Sequence, residues 1–120
     1  MLDTHAVLWL LAGDERVGGV RAAIENARTP VLVSAVCVWE AAIKSALGKL
    51  RVPDNLPERL DEFEFERLAI TDLHAWAVRA LPQIHADPFD RLLAAQAVCE
   101  RATIVSADPI FDQYPVARIW

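Results

Sequence analysis

Short β-type runs alternate with stretches of helical spacing along the whole chain, and this alternation restricts the fold more than any other feature of the sequence. Leu2-Asp3 reads as the end of a very short strand running into an apolar helix from His5 to Ala12, which Gly13 and the polar Asp14-Glu15-Arg16 terminate. Val20, Ile24 and Ala27 recur at helical spacing with Arg21, Glu25 and Arg28 turned elsewhere, so a surface helix precedes the β-type run Val31-Leu32-Val33. Ser34 serves as N-cap of a helix from Ala35 to Leu47 that stops near Gly48. A shorter helix covers Leu56 to Phe63, Leu68 and Ile70 alternate as in a strand, and Thr71 caps a helix reaching Ala80. Asp87-Pro88-Phe89-Asp90 opens a helix to Glu100, followed by the β-branched Thr103-Ile104-Val105, a turn at Asp108-Pro109 and a last strand near Ala117 to Ile119. Such alternation predicts an α/β sandwich with a mainly parallel sheet.

The 120 residues suit one domain, because a single core suffices at that length. No repeat or low-complexity tract divides them, and Pro53 to Pro57 is the nearest approach to a composition break. With 54% hydrophobic and 24% charged residues the chain is expected to fold rather than stay disordered. Its longest apolar run, Ala6 to Ala12, is far short of the roughly 20 residues of a membrane-spanning helix. The N-terminus lacks a basic stretch and a small-residue cleavage site, which makes cytoplasmic the expected address. Cys37 and Cys99 are too few for a disulfide scaffold and stand in no zinc spacing, so both are read as small buried hydrophobes.

Twelve Lys and Arg against 17 Asp and Glu give a net charge of −5, the wrong sign for holding nucleic acid by bulk electrostatics. A phosphate-bearing substrate would need local basic groups or bound cations, which directs attention to where the acids lie. In parallel sheets ligands bind beyond the carboxyl ends of the strands. Asp3 and Asp108 both follow β-type runs, Glu40 lies on the helix entered after Val31-Leu32-Val33, and Asp90 starts the helix leading into Thr103-Ile104-Val105.

Each acid also has an ordinary structural explanation. Lys44 stands four residues beyond Glu40, as in a surface ion pair. At about 100° per residue, however, Val36, Trp39, Ile43 and Leu47 define one apolar face, and Glu40 falls within roughly 60° of its centre. A carboxylate turned into packing must be protonated, paired or bound to a cation. Asp87 can cap its helix ahead of Pro88, with Asp90 favouring the helix dipole; Asp87 can also pair with Arg91. Asp108 before Pro109 suits a turn, and Asp3 suits a cap.

The functional reading therefore rests on convergence of these acids at one sheet edge. Like charges about 4 Å apart repel by about 4 kcal/mol at an effective dielectric near 20, so a cluster of them calls for a cation. Oxygen-only ligands point to Mg²⁺ or Mn²⁺, which activate water and support phosphodiester cleavage. His5, His74 and His85 lack metal spacing and are expected at surface or edge positions, with only His5 edging the pocket. Trp9, Trp39 and Trp76 are expected in the core rather than as base-stacking platforms, and Trp120 carries no assignment. Lys44, Lys49, Arg51 and Arg91 are read as a rim able to contact phosphates.

Together these segments resemble the PIN-domain ribonucleases of the VapC toxin type over nearly the whole chain. Leu2-Asp3-Thr4-His5-Ala6 resembles the opening motif, Ser34 to Leu50 the second acidic segment, Asp87 to Ala97 the third, and Ser106-Ala107-Asp108 the fourth. The resemblance implies a three-layer α/β/α sandwich in which Asp3, Glu40, Asp90 and Asp108 gather around one or two divalent cations, Mg²⁺ or Mn²⁺. It makes Thr4 and Ser106 supporting hydroxyls and Asp87 a neighbour of the site. It further implies an RNA substrate, a homodimer, and a cognate antitoxin whose C-terminal segment covers the pocket.

Family members usually carry a few more residues before the first acid, and the short approach to Asp3 motivates a second reading, a catalytically weak or inactive PIN-like binding module. A solitary RNA-processing nuclease is another. An aspartyl-phosphate phosphatase or phosphoacceptor with Asp3 as nucleophile ranks last, because position 5 is His rather than a second acid and Glu40 is left unexplained.

Overall fold

The computed structural model of the chain describes residues 1–26, 28 and 30–120. Helices α1 (Thr4–Leu11), α2 (Gly18–Glu25), α3 (Ala35–Ala46), α4 (Leu56–Asp61), α5 (Asp72–Ala77) and α6 (Pro88–Glu100) alternate with strands β1 (Leu32–Ser34), β2 (Glu66–Leu68), β3 (Ile104–Val105) and β4 (Arg118–Ile119). The caps read from the sequence form as expected. Ser34 Oγ accepts from the Val36 N–H at 3.0 Å, and Asp87 Oδ1 accepts from the N–H groups of Phe89 and Asp90 at 2.9 and 3.3 Å. Gly13 and Gly48 stand just beyond α1 and α3 with φ of 66° and 68°, a conformation in which a side chain would be strained.

β1 pairs with β2, and β3 with β4, both in parallel. Leu2 joins the two pairs by bridging Val33 on one side and Val105 on the other, also in parallel. The order across the sheet is therefore β2, β1, Leu2, β3, β4. The Leu2 N–H donates to the Leu32 carbonyl at 3.0 Å, the Val105 N–H to the Met1 carbonyl at 2.8 Å, and the Asp3 N–H to the Val105 carbonyl at 3.1 Å. Parallel alignment brings the carboxyl ends of the strands, at Asp3, Ser34 and Ser106, to one edge.

Leu2, Val33, Ile104, Val36, Leu60 and Phe111 are almost wholly inaccessible and centre the core. α1 packs on α3, α3 on α6, and α6 on α5. A buried polar relay secures the last of these contacts. Gln96, inaccessible on α6, accepts from the Ser34 hydroxyl, donates from Nε2 to the Ala69 carbonyl at 3.2 Å, and stands 3.2 Å from His74 Nδ1.

Several local expectations are corrected. The third strand lies at Glu66–Leu68 rather than Leu68–Ile70, because its register is set by pairing Leu32 with Glu66 and Ser34 with Leu68; Ile70 is exposed. The buried face of α3 is Val36, Cys37, Glu40 and Ala41, and α3 packs against α1 and α6. Trp39, Ile43 and Leu47 turn outward, and Trp39 is 46% exposed with its ring edge-on to Phe89 at 4.8 Å. Trp76 is also exposed, with the Arg79 guanidinium 4.8 Å over its ring. His74 is buried rather than superficial: it completes a capping box with Thr71 and places Nε2 2.9 Å from Glu100. Cys37 is buried as expected, which pushes its thiol up to about 12, whereas Cys99 is half-buried. The expected position of Ala27 on the second helix lies outside the described residues. Among the described residues no helix is long and apolar enough to cross a membrane.

Candidate metal centre

At the carboxyl edge of the sheet a cavity of about 180 Å³ is lined by Asp3, Thr4, His5, Glu40, Lys44, Asp87, Asp90, Asp108 and Phe111. All four predicted metal-site acids meet here with their predicted neighbour Asp87. Asp3 leaves Leu2 and caps α1, accepting from the Ala6 N–H at 2.6 Å. Glu40 lies on the buried face of α3, where Oε2 accepts from the Thr4 hydroxyl and Oε1 from Lys44 Nζ. Asp90 stands in the first turn of α6. Asp108 caps the short 3-10 turn Pro109–Gln113, accepting from the Ile110 N–H at 2.9 Å while its own N–H donates to Ser106 Oγ at 3.0 Å.

The surface ion pair and the buried carboxylate, opposed in the sequence reading, coexist. Glu40 is 5% exposed and paired with Lys44, which supplies the counter-charge that a buried carboxylate requires. The hydrogen bond to Glu40 raises Lys44 above the usual ammonium range and keeps it charged. Burial raises the Asp3 carboxyl, although hydrogen bonds from Ser106 and the Ala6 N–H oppose this and His5 also favours the charged form. Burial likewise pushes Asp90 up to about 6; Asp87 and Glu40 add repulsion, and the hydrogen bond with His85 works against the rise.

These shifts fix a pH dependence. Between its ordinary value of 3.8 and about 6, Asp90 holds a proton in the folded chain that it lacks in the unfolded one. Metal-free protein should therefore lose stability as pH rises through that window. In EDTA, the urea midpoint of the parent should fall more steeply across this range than that of Asp90→Asn. Parallel slopes for the two proteins would show that Asp90 is not perturbed.

His85 is the residue the sequence reading missed. Its Nε2 is 3.2 Å from Asp90 Oδ2, and its Nδ1 is 2.7 Å from the Tyr114 hydroxyl. With the tyrosine donating to Nδ1, Nε2 is the ring nitrogen left to donate to the carboxylate. A separation of 29 residues between His85 and Tyr114 carries no local sequence signal. His5 edges the cavity as expected.

The predicted basic rim is corrected at one position. Arg91 is 8% exposed and donates to the Pro82 and Val78 carbonyls at 2.8 and 3.2 Å. It fastens the segment before α6 and does not face the cavity, since the first turn of α6 turns position 91 inward. Lys44 lines the cavity; Lys49 and Arg51 are exposed residues outside its lining.

The donor chemistry fits a hard divalent cation. Carboxylate oxygens from Asp3, Glu40, Asp87, Asp90 and Asp108 share one small space with a single lysine and a single histidine, His5, and no thiol lines it, a donor set dominated by hard oxygen. Among the described residues no three acidic, histidine or cysteine side chains stand close enough together to hold a metal ion as they are.

By sequence, the PIN domain family matches residues 1–117. No curated protein matches the chain. Among solved structures the chain is similar to VapBC2 from Rickettsia felis bound to a DNA fragment from their promoter, with a TM-score of 0.73 at 18% identity over 100% of this chain and 97% of that one. It is also similar to DNA-bound VapBC from Salmonella typhimurium, with a TM-score of 0.66 at 17% identity over 100% of this chain and 95% of that one. Identities at this level speak to the fold alone. A parallel sheet spaced by helices, acids gathered at its carboxyl edge and a family match running almost end to end agree: the chain belongs to the PIN domain family.

Proposed function

We propose that the protein is a divalent-metal-dependent endoribonuclease and the toxin half of a toxin–antitoxin pair. PIN domains are nucleases, and the observation that carries the finer reading is the carboxylate cavity at the sheet edge. Asp3, Glu40 and Asp90 would hold Mg²⁺ or Mn²⁺, with Asp108 completing the site or orienting water. When bound, such a cation supplies an activated water and charge stabilisation at the scissile phosphate. Thr4 fixes the Glu40 carboxylate by donating its hydroxyl proton, and Ser106 anchors the turn that presents Asp108. Lys44 meets the phosphate from the cavity wall, with Lys49 and Arg51 as more distant contacts. Asp87 holds the first turn of α6 and thereby the position of Asp90.

The antitoxin partner is inferred from the likeness to VapBC assemblies, and a homodimer is part of the same reading. The exposed Trp39, Ile43 and Leu47 of α3 are compatible with contact to a protein partner. A soluble cytoplasmic enzyme acting on RNA completes the proposal.

Chelation tests it. EDTA should abolish cleavage of single-stranded RNA by the purified protein, and excess Mg²⁺ or Mn²⁺ should restore it. Cleavage that persists in EDTA after dialysis would remove the metal from the reading.

A further inference from the structure

Beside the carboxylate cavity lies a second cleft of about 290 Å³, lined by Asp3, His5, Trp9, Ala107, Asp108 and Pro109. It shares Asp3, His5 and Asp108 with the first. His5 and Trp9 supply the aromatic part of its lining, beside the shared Asp3 and Asp108. The rings of His5 and Trp9 stand 5.6 Å apart, and Trp120 leans on Trp9 at 5.4 Å with its plane at 56°. The Arg16 guanidinium lies 4.3 Å over the Trp9 ring and is itself held by Asp14 at 2.6 Å. Trp9 is thus clamped by a cation and two rings, while His5 and Trp120 remain exposed.

We propose that this cleft holds a nucleobase of the RNA strand next to the phosphate engaged by the carboxylate cavity. The inference rests on the ribonuclease reading and adds a base-binding subsite to it. A volume of about 290 Å³ is at the small end of ligand pockets, which run from about 300 to 1,000 Å³, and suits one planar ring system. Aromatic walls with a neighbouring cation are the surfaces on which bases stack, whatever their sequence. The covalent link between a base and its own phosphate accounts for the adjacency: a strand fixed at the acids by its phosphate must place a base within one nucleotide of them. Trp9, placed in the core by its spacing on α1, packs against the core and also lines the cleft, with Trp120 set against it.

The test compares an eight-nucleotide RNA of mixed sequence with a ribose-phosphate strand of the same length that carries no bases. Binding is followed by fluorescence anisotropy of an end label, with calcium replacing the catalytic cation. The parent should bind the RNA at least about fivefold more tightly than the abasic strand, the effect of a single stacked base. Trp120→Ala, which withdraws the ring packed on Trp9, should remove most of that difference while leaving abasic-strand affinity unchanged, and Trp120→Phe should restore it. Trp9→Ala is less informative, since Trp9 also packs against the core. Equal affinity of the parent for both strands, with cleavage intact, would overturn the base subsite and leave the nuclease reading standing. A parent that neither cuts RNA nor binds either strand would overturn both. Loss of antitoxin binding in Trp120→Ala, with the preference for RNA unchanged, would assign the cleft to a protein partner and overturn the proposal.

Discussion

Asp90→Asn should lower RNA cleavage by at least about 10²-fold, because groups that merely orient a metal ligand already cost about 10- to 100-fold when removed. The substitution keeps the volume and the hydrogen-bond acceptor facing His85 and removes the charge. Burial disfavours that charge in the metal-free protein, so the variant should be as stable as the parent at pH 7 in EDTA, or more so. Lost activity and retained stability together separate a metal ligand from a structural acid. Asp3→Asn should behave similarly, since asparagine caps a helix about as well as aspartate and can still accept from the Ala6 N–H. Calorimetric titration with Mn²⁺ should show weakened binding in both variants. Parent-like cleavage by Asp90→Asn would end the assignment of Asp90 to the metal centre.

The second large effect concerns stability. Leu2 is inaccessible and bridges both halves of the sheet, to Val33 on one side and to Val105 on the other. Leu2→Ala removes buried methyl groups where neighbours on both sides are fixed by backbone hydrogen bonds, so the site cannot collapse to fill the space. The expected cost is about 3 kcal/mol, within the range of about 2–5 kcal/mol for such truncations and a large share of a typical stability of about 5–15 kcal/mol. Urea unfolding should show a lower midpoint with an unchanged slope. The same change should disturb the metal centre, because Asp3 follows directly and takes its position from this strand. A loss of unfolding free energy under about 0.5 kcal/mol, the range of ordinary surface substitutions, would show that Leu2 is not a keystone of the sheet.

The Ser34 cap of α3, the Thr71 cap of α5 and the Asp87-Pro88 start of α6 were all legible in the sequence. Each depends on a side chain and backbone groups two or three residues away, so the information is local. The class of the fold was legible for the same reason: alternating periodicities identify the elements, and connections through helices favour parallel pairing. The convergence of Asp3, Glu40, Asp90 and Asp108 followed from their places after strands or on the helices beside them, together with the family resemblance.

What the sequence by itself determined is the order of elements, their caps and the edge of the sheet at which the acids meet. Only the tertiary structure decided which side of each helix is buried, and there periodicity misled: α3 buries Val36, Cys37, Glu40 and Ala41 and exposes Trp39 and Leu47. It alone turned Arg91 into a clamp on the Val78 and Pro82 carbonyls, joined His85 to both Asp90 and Tyr114, and set Trp120 against Trp9. The physical reason is one of range. Backbone propensity and capping act over a single turn of chain, whereas burial and long-range hydrogen bonding depend on which surfaces of distant elements fit closely enough to exclude water.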